Sequence, residues 1–490
     1  MAKTNYGLII GLTIAATLGG LLFGYDTAVI SGTTEAIKAN FVTPWHLSEG
    51  WANMLHGFAV ACALLGCVIG ALLAGPISTR IGRKWGLLIA GVLFFVSSVG
   101  AAYPEFFWSI FGAVHEKALP PFILYRLMGG TAIGMASMLA PMYISEMAPT
   151  NIRGMLLTFE QIAIVVGINL VYFVNFWIQS GHDSSFLFDV GWRHMLASAA
   201  IPATLLIIAM LLVPETPRFL VLKDRNDEAL SLLKRLFGNG EAEKTHAQIK
   251  ETLVEHTRPL LSYGWTVVLV GIVLSVFQQL VGINAVLYFA PHMFENMGST
   301  PNEALSQSAW FVGVSMTLFT LVATFTVEKL GRKPLLFWGA VVMAVAMILL
   351  GFLFHLHMVN ATGSAGAAAG GSSYVAIGAV VVYIIGFSFS WGPIVWVLLA
   401  EIYPNSIKGQ AMSIGVAAQW IANYIVSQTF PMMDGSSALN AAFNHGFAYW
   451  LYGVCSVGAA VFVWKYVPET KGKSLEEIES VWHLHRKGNN

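Results

Sequence analysis

An all-α membrane protein of about twelve spanning helices, built as two related halves of six, is the fold class that this sequence predicts. Three observations carry that expectation. Of the 490 residues, 56% are hydrophobic and only 11% charged, and the mean hydropathy is +0.68, well above that of water-soluble chains. The apolar residues gather into runs of roughly 20, the length a helix needs to cross a bilayer. Motifs of the first half also recur, in the same order, about 250 residues later.

The runs fall near 7–30, 52–74, 86–103, 121–144, 155–179, 194–213, 264–290, 307–327, 335–357, 373–400, 410–432 and 446–466. Isolated backbone polar groups have no partner in hydrocarbon, so runs of this length must be helices. The first run contains the polar stretch Tyr25-Asp26-Thr27 and lacks a small-residue cleavage site, so it reads as a retained helix rather than a signal peptide. Lys and Arg crowd into alternate loops: Arg80, Arg83 and Lys84; Arg153; the 214–262 stretch; Lys329, Arg332 and Lys333; Lys408; and the tail. The opposite loops carry only Lys38, Lys117 and Arg193. By the positive-inside rule both termini and the central loop face the cytoplasm of a plasma membrane, a bacterial inner membrane being expected. The zero net charge by itself says nothing about a nucleic-acid partner; the bases are explained as topology determinants in a lipid bilayer rather than as a phosphate-binding patch, and no nucleic-acid partner is expected. Cys62, Cys67 and Cys455 all lie inside runs and read as small buried hydrophobes.

The repeat is visible in three places. Thr79-Arg80-Ile81-Gly82-Arg83-Lys84 recurs as Glu328-Lys329-Leu330-Gly331-Arg332-Lys333; Ser145-Glu146 with Arg153-Gly154 recurs as Ala400-Glu401 with Lys408-Gly409; Pro214-Glu215-Thr216-Pro217-Arg218 recurs as Pro468-Glu469-Thr470-Lys471-Gly472. The chain therefore divides into a six-helix bundle (1–213), a linker with short amphipathic helices (214–262), a second bundle (263–467) and a tail helix (468–490) beginning near Ser474. Parallel repeats place a binding site at the midplane between halves. A Gly-Arg-Lys turn sets guanidinium donors beside carboxylates and helix ends, and such pairs bias one conformation against another. Any single base reads equally well as a headgroup anchor. As a set, Arg83, Glu146, Arg153, Glu215 and Arg218, with Glu328, Arg332, Glu401 and Lys408, read as a conformational switch.

Gly75 to Lys84, Pro214 to Arg218, Gln278-Gln279-Leu280-Val281-Gly282-Ile283-Asn284 and Pro468 to Gly472 resemble the signatures of the sugar porter family of the major facilitator superfamily, over essentially the whole chain. Gly19 to Gly32 and Ala417-Ala418-Gln419-Trp420 are most similar to its bacterial D-xylose:proton symporters, which stand close to the facilitative glucose transporters. The resemblance implies the major facilitator fold, a monosaccharide (D-xylose or D-glucose type) and a proton as co-substrates, no cofactor, no metal, and function as a monomer. It assigns sugar contacts to Gln161, Gln278, Gln279, Asn284, Trp396 and Gln419, and a lining role to Phe23, Tyr288, Phe387, Gly392 and Trp420. Proton-coupled members have Asp at the position of Asp26, where facilitative carriers have Asn. Two departures stand out: Ala199 replaces an acidic residue of the xylose pattern, and Ile168 replaces a Gln, which is the choice seen in glucose carriers.

The residues themselves point the same way. A charge at the bilayer centre is costly, so Asp26 and Arg126 demand a role or a mutual partner. Either they form a permanent pair that fixes packing, or the pair separates and Asp26 takes up a proton, making it the proton carrier. Glu160, beside Gln161, faces the cavity or the mouth, or else snorkels. An uncharged sugar needs amides that both donate and accept, and an aromatic wall for its apolar face. Membrane amides also glue helices together, but this group at the interface between halves reads better as a site. On a continuous helix Gln278 and Gln279 diverge, and Gln279, Ile283, Asn284 and Tyr288 form one broad stripe. His56, His194, His292, His355 and His357 have no metal-ligand spacing and read as structural. Pro141, Pro291 (ending the seventh span) and Gly392-Pro393 break or bend helices, with or without gating. Residues 363–373 read as a flexible loop.

Other classes fit less well. Gly472-Lys473-Ser474 lacks the first glycine of a phosphate loop, Val467 standing there, which argues against an ATP-driven pump. A facilitative uniporter is the nearest alternative and a non-transporting sugar sensor a remoter one, the tail past 467 being short for signalling. Nothing in the sequence suggests the catalytic constellation of an enzyme.

Overall fold

The computed structural model describes residues 4–109, 118–149, 152–252, 260–356, 369–403 and 407–471. Asn360-Ala361-Thr362, which matches a glycosylation acceptor triplet, together with His357, residues 363–368 and the tail from Gly472, falls outside them. Among the described residues there is no strand.

The first half contains α1 (Tyr6–Val29), α2 (Glu49–Arg80), α3 (Arg83–Ala102), α4 (Leu119–Met147), α5 (Arg153–Gln179) and α6 (Leu187–Leu212). The second contains α7 (Trp265–Asn296), α8 (Pro301–Val327), α9 (Arg332–His355), α10 (Ala369–Gly386, continuing through a π turn into Gly392–Ile402), α11 (Lys408–Asp434) and α12 (Gly446–Tyr466). α10 starts at Ala369, so the loop expected over 363–373 gives way to helix for its last residues. Eleven helices among the described residues are long and apolar enough to span a bilayer. The count of about twelve is not reached because of α11, whose 27 residues suffice in length. Its Gln419, Asn423, Ser427 and Gln428 dilute the apolar run, which is what a helix facing a polar cavity requires.

Close helix contact depends on residues without side chains. α1 and α5 touch through Gly24, where an added Cβ would drive into the Ile164 carbonyl, and Gly167, where it would meet the Leu21 carbonyl. Gly24→Val is therefore expected to cost about 1–3 kcal/mol or more from overpacking. A lower melting temperature in detergent checks this, and an unchanged one would refute so tight an α1/α5 contact.

The short linker helices Pro217–Leu222, Asn226–Phe237 and Asn239–Thr252 lie against the end of the first half that carries the Gly-Arg-Lys turns. On the second of them Ala229, Leu232, Leu233 and Leu236 are buried at helical spacing, and the backbone N–H of Asn5 donates to the Leu236 carbonyl at 2.8 Å. The Tyr143 hydroxyl donates to the Pro214 carbonyl at 2.8 Å.

The three repeated motifs converge on one arrangement in each half. Gly82 and Gly331 take positive φ (102° and 89°), turning the chain sharply between two helices. Just after the turn, Glu215 accepts the backbone N–H of Arg83 (3.1 Å) and Lys84 (3.2 Å), and Glu469 accepts those of Arg332 (3.1 Å) and Lys333 (3.0 Å). These carboxylates cap the bare N-termini of α3 and α9. Arg83 pairs with Glu146 and Arg332 with Glu401, each at 2.8 Å. The hydroxyls of Thr216 and Thr470 complete the sets by donating to Glu146 (2.6 Å) and Glu401 (2.5 Å). Arg153 is exposed and Arg218 half-buried; the side chains of Glu328 and Lys408 fall outside the description.

At the opposite end the halves meet directly. Asn53 of α2 donates to the Gly435 carbonyl at 2.8 Å, Gln428 of α11 donates to the Met54 carbonyl at 2.8 Å, and Glu49 accepts the Ser437 N–H at 2.5 Å.

Candidate functional site

Between the halves, at mid-depth, lies a cavity bordered by α1, α5, α7, α8, α10 and α11. α1 and α5 contribute Phe23, Thr27, Gln161 and Ile168; α7 contributes Gln278, Gln279 and Asn284. α10 contributes Phe387, Gly392 and Trp396, and α11 Gln419, Trp420 and Asn423. Among the described residues the lining holds no charged side chain. Such a wall suits a neutral ligand with many hydroxyls: amides for its edges and rings for its faces. Phe23 and Trp420 face each other across the halves with centroids 5.4 Å apart and planes at 54°.

The amides converge because α7 is broken. Gly282, at φ +94°, ends the helix Trp265–Leu280 and starts Ile283–Asn296, and a Cβ there would strike the Tyr452 ring. The continuous-helix stripe expected for this segment is therefore corrected. Gln278 and Gln279 both reach the cavity, and Asn284, five residues on, donates to Gln279 Oε1, a contact an unbroken helix would not offer. Gln279 donates in turn to Gln278 Oε1 at 3.4 Å, and Gln278 donates to the carbonyls of Trp391 (2.9 Å) and Gly392 (3.3 Å). Just before these carbonyls α10 opens into a π turn at Phe387–Trp391, and Pro393, which has no N–H, cannot serve the carbonyl one turn earlier in the helix. Pro291 does not end the seventh span: the helix continues to Asn296 with a kink at Phe289 (φ −115°, ψ 16°).

Tyr288, expected as lining, is instead buried (3% exposed) and is not among the residues that border the cavity. Asn423 was missed, although it stands one helical turn after Gln419 and its spacing offered the signal. Thr320 and Met316 of α8 also line the wall, and no motif marks them. Among the described residues, two polar atoms at the wall lack a partner: Gln419 Oε1 and Trp420 Nε1. Buried polar atoms are seldom left so, and a ligand hydroxyl would satisfy each.

Asp26 and Arg126 do meet. Both are buried (2% and 3% exposed), with Arg126 Nη1 3.3 Å from each Asp26 oxygen, while Arg126 Nε has no partner among the described residues. The pair lies behind the cavity wall, on the α1/α4 side, one residue from the lining Thr27. Its long single-nitrogen contact is weaker than a two-pronged fork. Glu160 faces neither the cavity nor the mouth. It is buried against Gly20 of α1, and neither of its oxygens has a partner among the described residues. Ala199 is buried, and beside it the hydroxyls of Tyr25 and Ser198 are 2.7 Å apart. Cys62, Cys67 and Cys455 are free thiols.

Comparison with known proteins agrees with this architecture. Residues 12–482 match the family model described as "Sugar (and other) transporter". The chain is 48% identical to the D-xylose-proton symporter of Escherichia coli (strain K12), over 99% of this chain and 97% of that protein. It is 39% identical to the glucose facilitated diffusion protein of Zymomonas mobilis, over 99% and 100%. A solved structure of the xylose transporter XylE from E. coli in its inward-open conformation superposes with a TM-score of 0.84 at 46% identity, covering 97% of this chain and 100% of that one.

Proposed function

This chain belongs to the sugar transporter family, and from that premise we propose that it is a secondary transporter carrying a monosaccharide of the D-xylose or D-glucose type together with a proton. It is a transporter and not an enzyme, and an integral membrane protein. The observation that carries the reading is the uncharged amide and tryptophan cavity with a buried Asp26–Arg126 pair just behind it. The sugar fills the cavity, its hydroxyls meeting Gln161, Gln279, Asn284 and Gln419 and its apolar face resting on Trp396. Gln278, tied to the α10 backbone, holds the amide chain in place. The proton travels on Asp26, which Arg126 releases when the helices shift.

Residues 1–213 and 263–467 rock about the cavity as two bodies, and the end bearing the Gly-Arg-Lys turns faces the cytoplasm of the bacterial inner membrane. The carrier acts as a monomer. The mirrored networks at that end, centred on Arg83 with Glu146 and Arg332 with Glu401, keep each half rigid as it moves and bias which state is held, with Arg153, Arg218, Glu328 and Lys408 around them. Arg83→Gln leaves Glu146 without its cation, and breaking such a buried pair costs about 3–5 kcal/mol. The expected result is at least tenfold slower sugar exchange with sugar affinity unchanged; equal exchange rates would reduce the network to an anchor.

Alkalinisation of the medium when xylose, and separately glucose, is added to de-energised cells tests the reading and identifies the sugar. Sugar uptake without proton movement would establish the alternative, a facilitative uniporter. Ala199, buried where the xylose pattern has an acidic residue, favours that second reading, and Ile168 in the cavity wall, an apolar residue where that pattern has Gln, favours a glucose-type substrate.

A further inference from the structure

At the end opposite the Gly-Arg-Lys turns, the closed interface encloses a second polar cavity, of about 210 Å³. His292 of α7 stands at its centre. Its Nδ1 is 3.2 Å from Glu35, on the short helix Thr34–Ile37 of the first half, and its Nε2 is 2.8 Å from Asp434, at the end of α11. A neutral imidazole has one N–H and one lone pair, and an ionised carboxylate only accepts. With carboxylate oxygens facing both ring nitrogens, the contacts are complete only if the cluster holds one additional proton.

The surroundings assign that proton. Asp434 already accepts from Asn296 (3.3 Å) and faces His445 Nδ1 at 3.0 Å, so its oxygens act as acceptors on both sides. Partial burial would raise the Glu35 carboxyl, but the His292 hydrogen bond and charge, with His56 and Lys38 nearby, hold it at about 2. An imidazole holds a proton more tightly than a carboxylate does, so with both carboxylates placed as acceptors the extra proton rests on His292. The remaining charged group facing it is Glu295, on its own helix. From the first half, His56 packs edge-on against Phe289 (6.2 Å, 86°), its Nε2 3.1 Å from the Thr34 carbonyl that precedes Glu35.

We propose that this cluster is a second proton-binding site of the carrier: closing the outer gate captures one proton on His292, between Glu35 of the first half and Asp434 of the second. The proposal rests on the rocking of the halves argued above. Opening parts Glu35 from His292 and Asp434 and removes half of the cage that holds the proton. The state that binds more protons gains as pH falls, so acid favours the closed gate, by at most tenfold in the closed-to-open ratio per pH unit for one proton. Protons outside would thus close the gate behind the sugar and drive the carrier onward.

The test is the distance between spin labels at Leu47→Cys and Ala441→Cys, both exposed on the outer face, in full-length protein carrying Cys455→Ser. For the otherwise native protein the short distance should dominate at pH 5.5 and yield to a longer one towards pH 9. His292→Gln should flatten that dependence, and Glu35→Gln, which keeps the histidine but removes its cross-half partner, should shrink it several-fold. The same titration in His292→Gln and native protein, or no titration in the native protein, would overturn the proposal. A xylose or glucose binding isotherm on the same samples reports separately on the sugar site, so loss of binding there would count against the transport reading and not against the gate.

Discussion

Asp26→Asn is expected to abolish sugar accumulation while leaving sugar exchange across the membrane intact. A membrane potential of about 100 mV supplies about 2.3 kcal/mol per proton, enough to sustain a roughly 40-fold sugar gradient. With no group to carry the proton, the gradient should fall to unity and sugar-dependent alkalinisation should vanish. Asn keeps the shape of the side chain but leaves Arg126 as an unmatched buried cation, at a cost of about 3–5 kcal/mol. The double variant Asp26→Asn, Arg126→Gln removes that cation, so a loss of coupling in both separates proton transport from misfolding. Continued accumulation by either variant would show that the proton travels elsewhere, and the partnerless Glu160 would be the next residue to test.

Gln419→Ala is expected to weaken sugar binding about 10- to 100-fold, because it removes the acceptor that a ligand hydroxyl satisfies, an interaction of about 1–3 kcal/mol in a buried site. Gln419 is 7% exposed and its Oε1 has no protein partner among the described residues, so its loss breaks no hydrogen bond accepted by that oxygen. Titration calorimetry with xylose and glucose measures the change, and a shift below twofold would remove Gln419 from the site. Gln278, which already donates to two backbone carbonyls, should behave differently: its loss would disturb α10 as well as the ligand.

Much of this architecture was legible in the order of residues. Apolar runs long enough to span a bilayer leave helix as the one local solution, and the recurrence of Gly82-Arg83-Lys84 as Gly331-Arg332-Lys333 announced two halves before any contact was visible. The amides and tryptophans of the cavity were identifiable because polar groups at membrane depth need a reason to be there. The errors trace to backbone geometry. Helical spacing across Gln279 to Tyr288 misled because Gly282 breaks α7, and Tyr288 is buried away from the cavity wall.

Residue types and their periods thus determined where the chain lies, how it repeats and which polar groups are costly. A mutual pair of Asp26 and Arg126 was one of the roles their cost allowed, but the tertiary structure decided that they meet and which of the other polar groups do. His292 read as a structural histidine because Glu35 and Asp434 stand far from it along the chain, and Asp26 found Arg126 a hundred positions away. Periodicity encodes the face of a helix on which a side chain lies, whereas a proton or sugar site depends on angstrom-scale distances between helices that only the packed molecule sets.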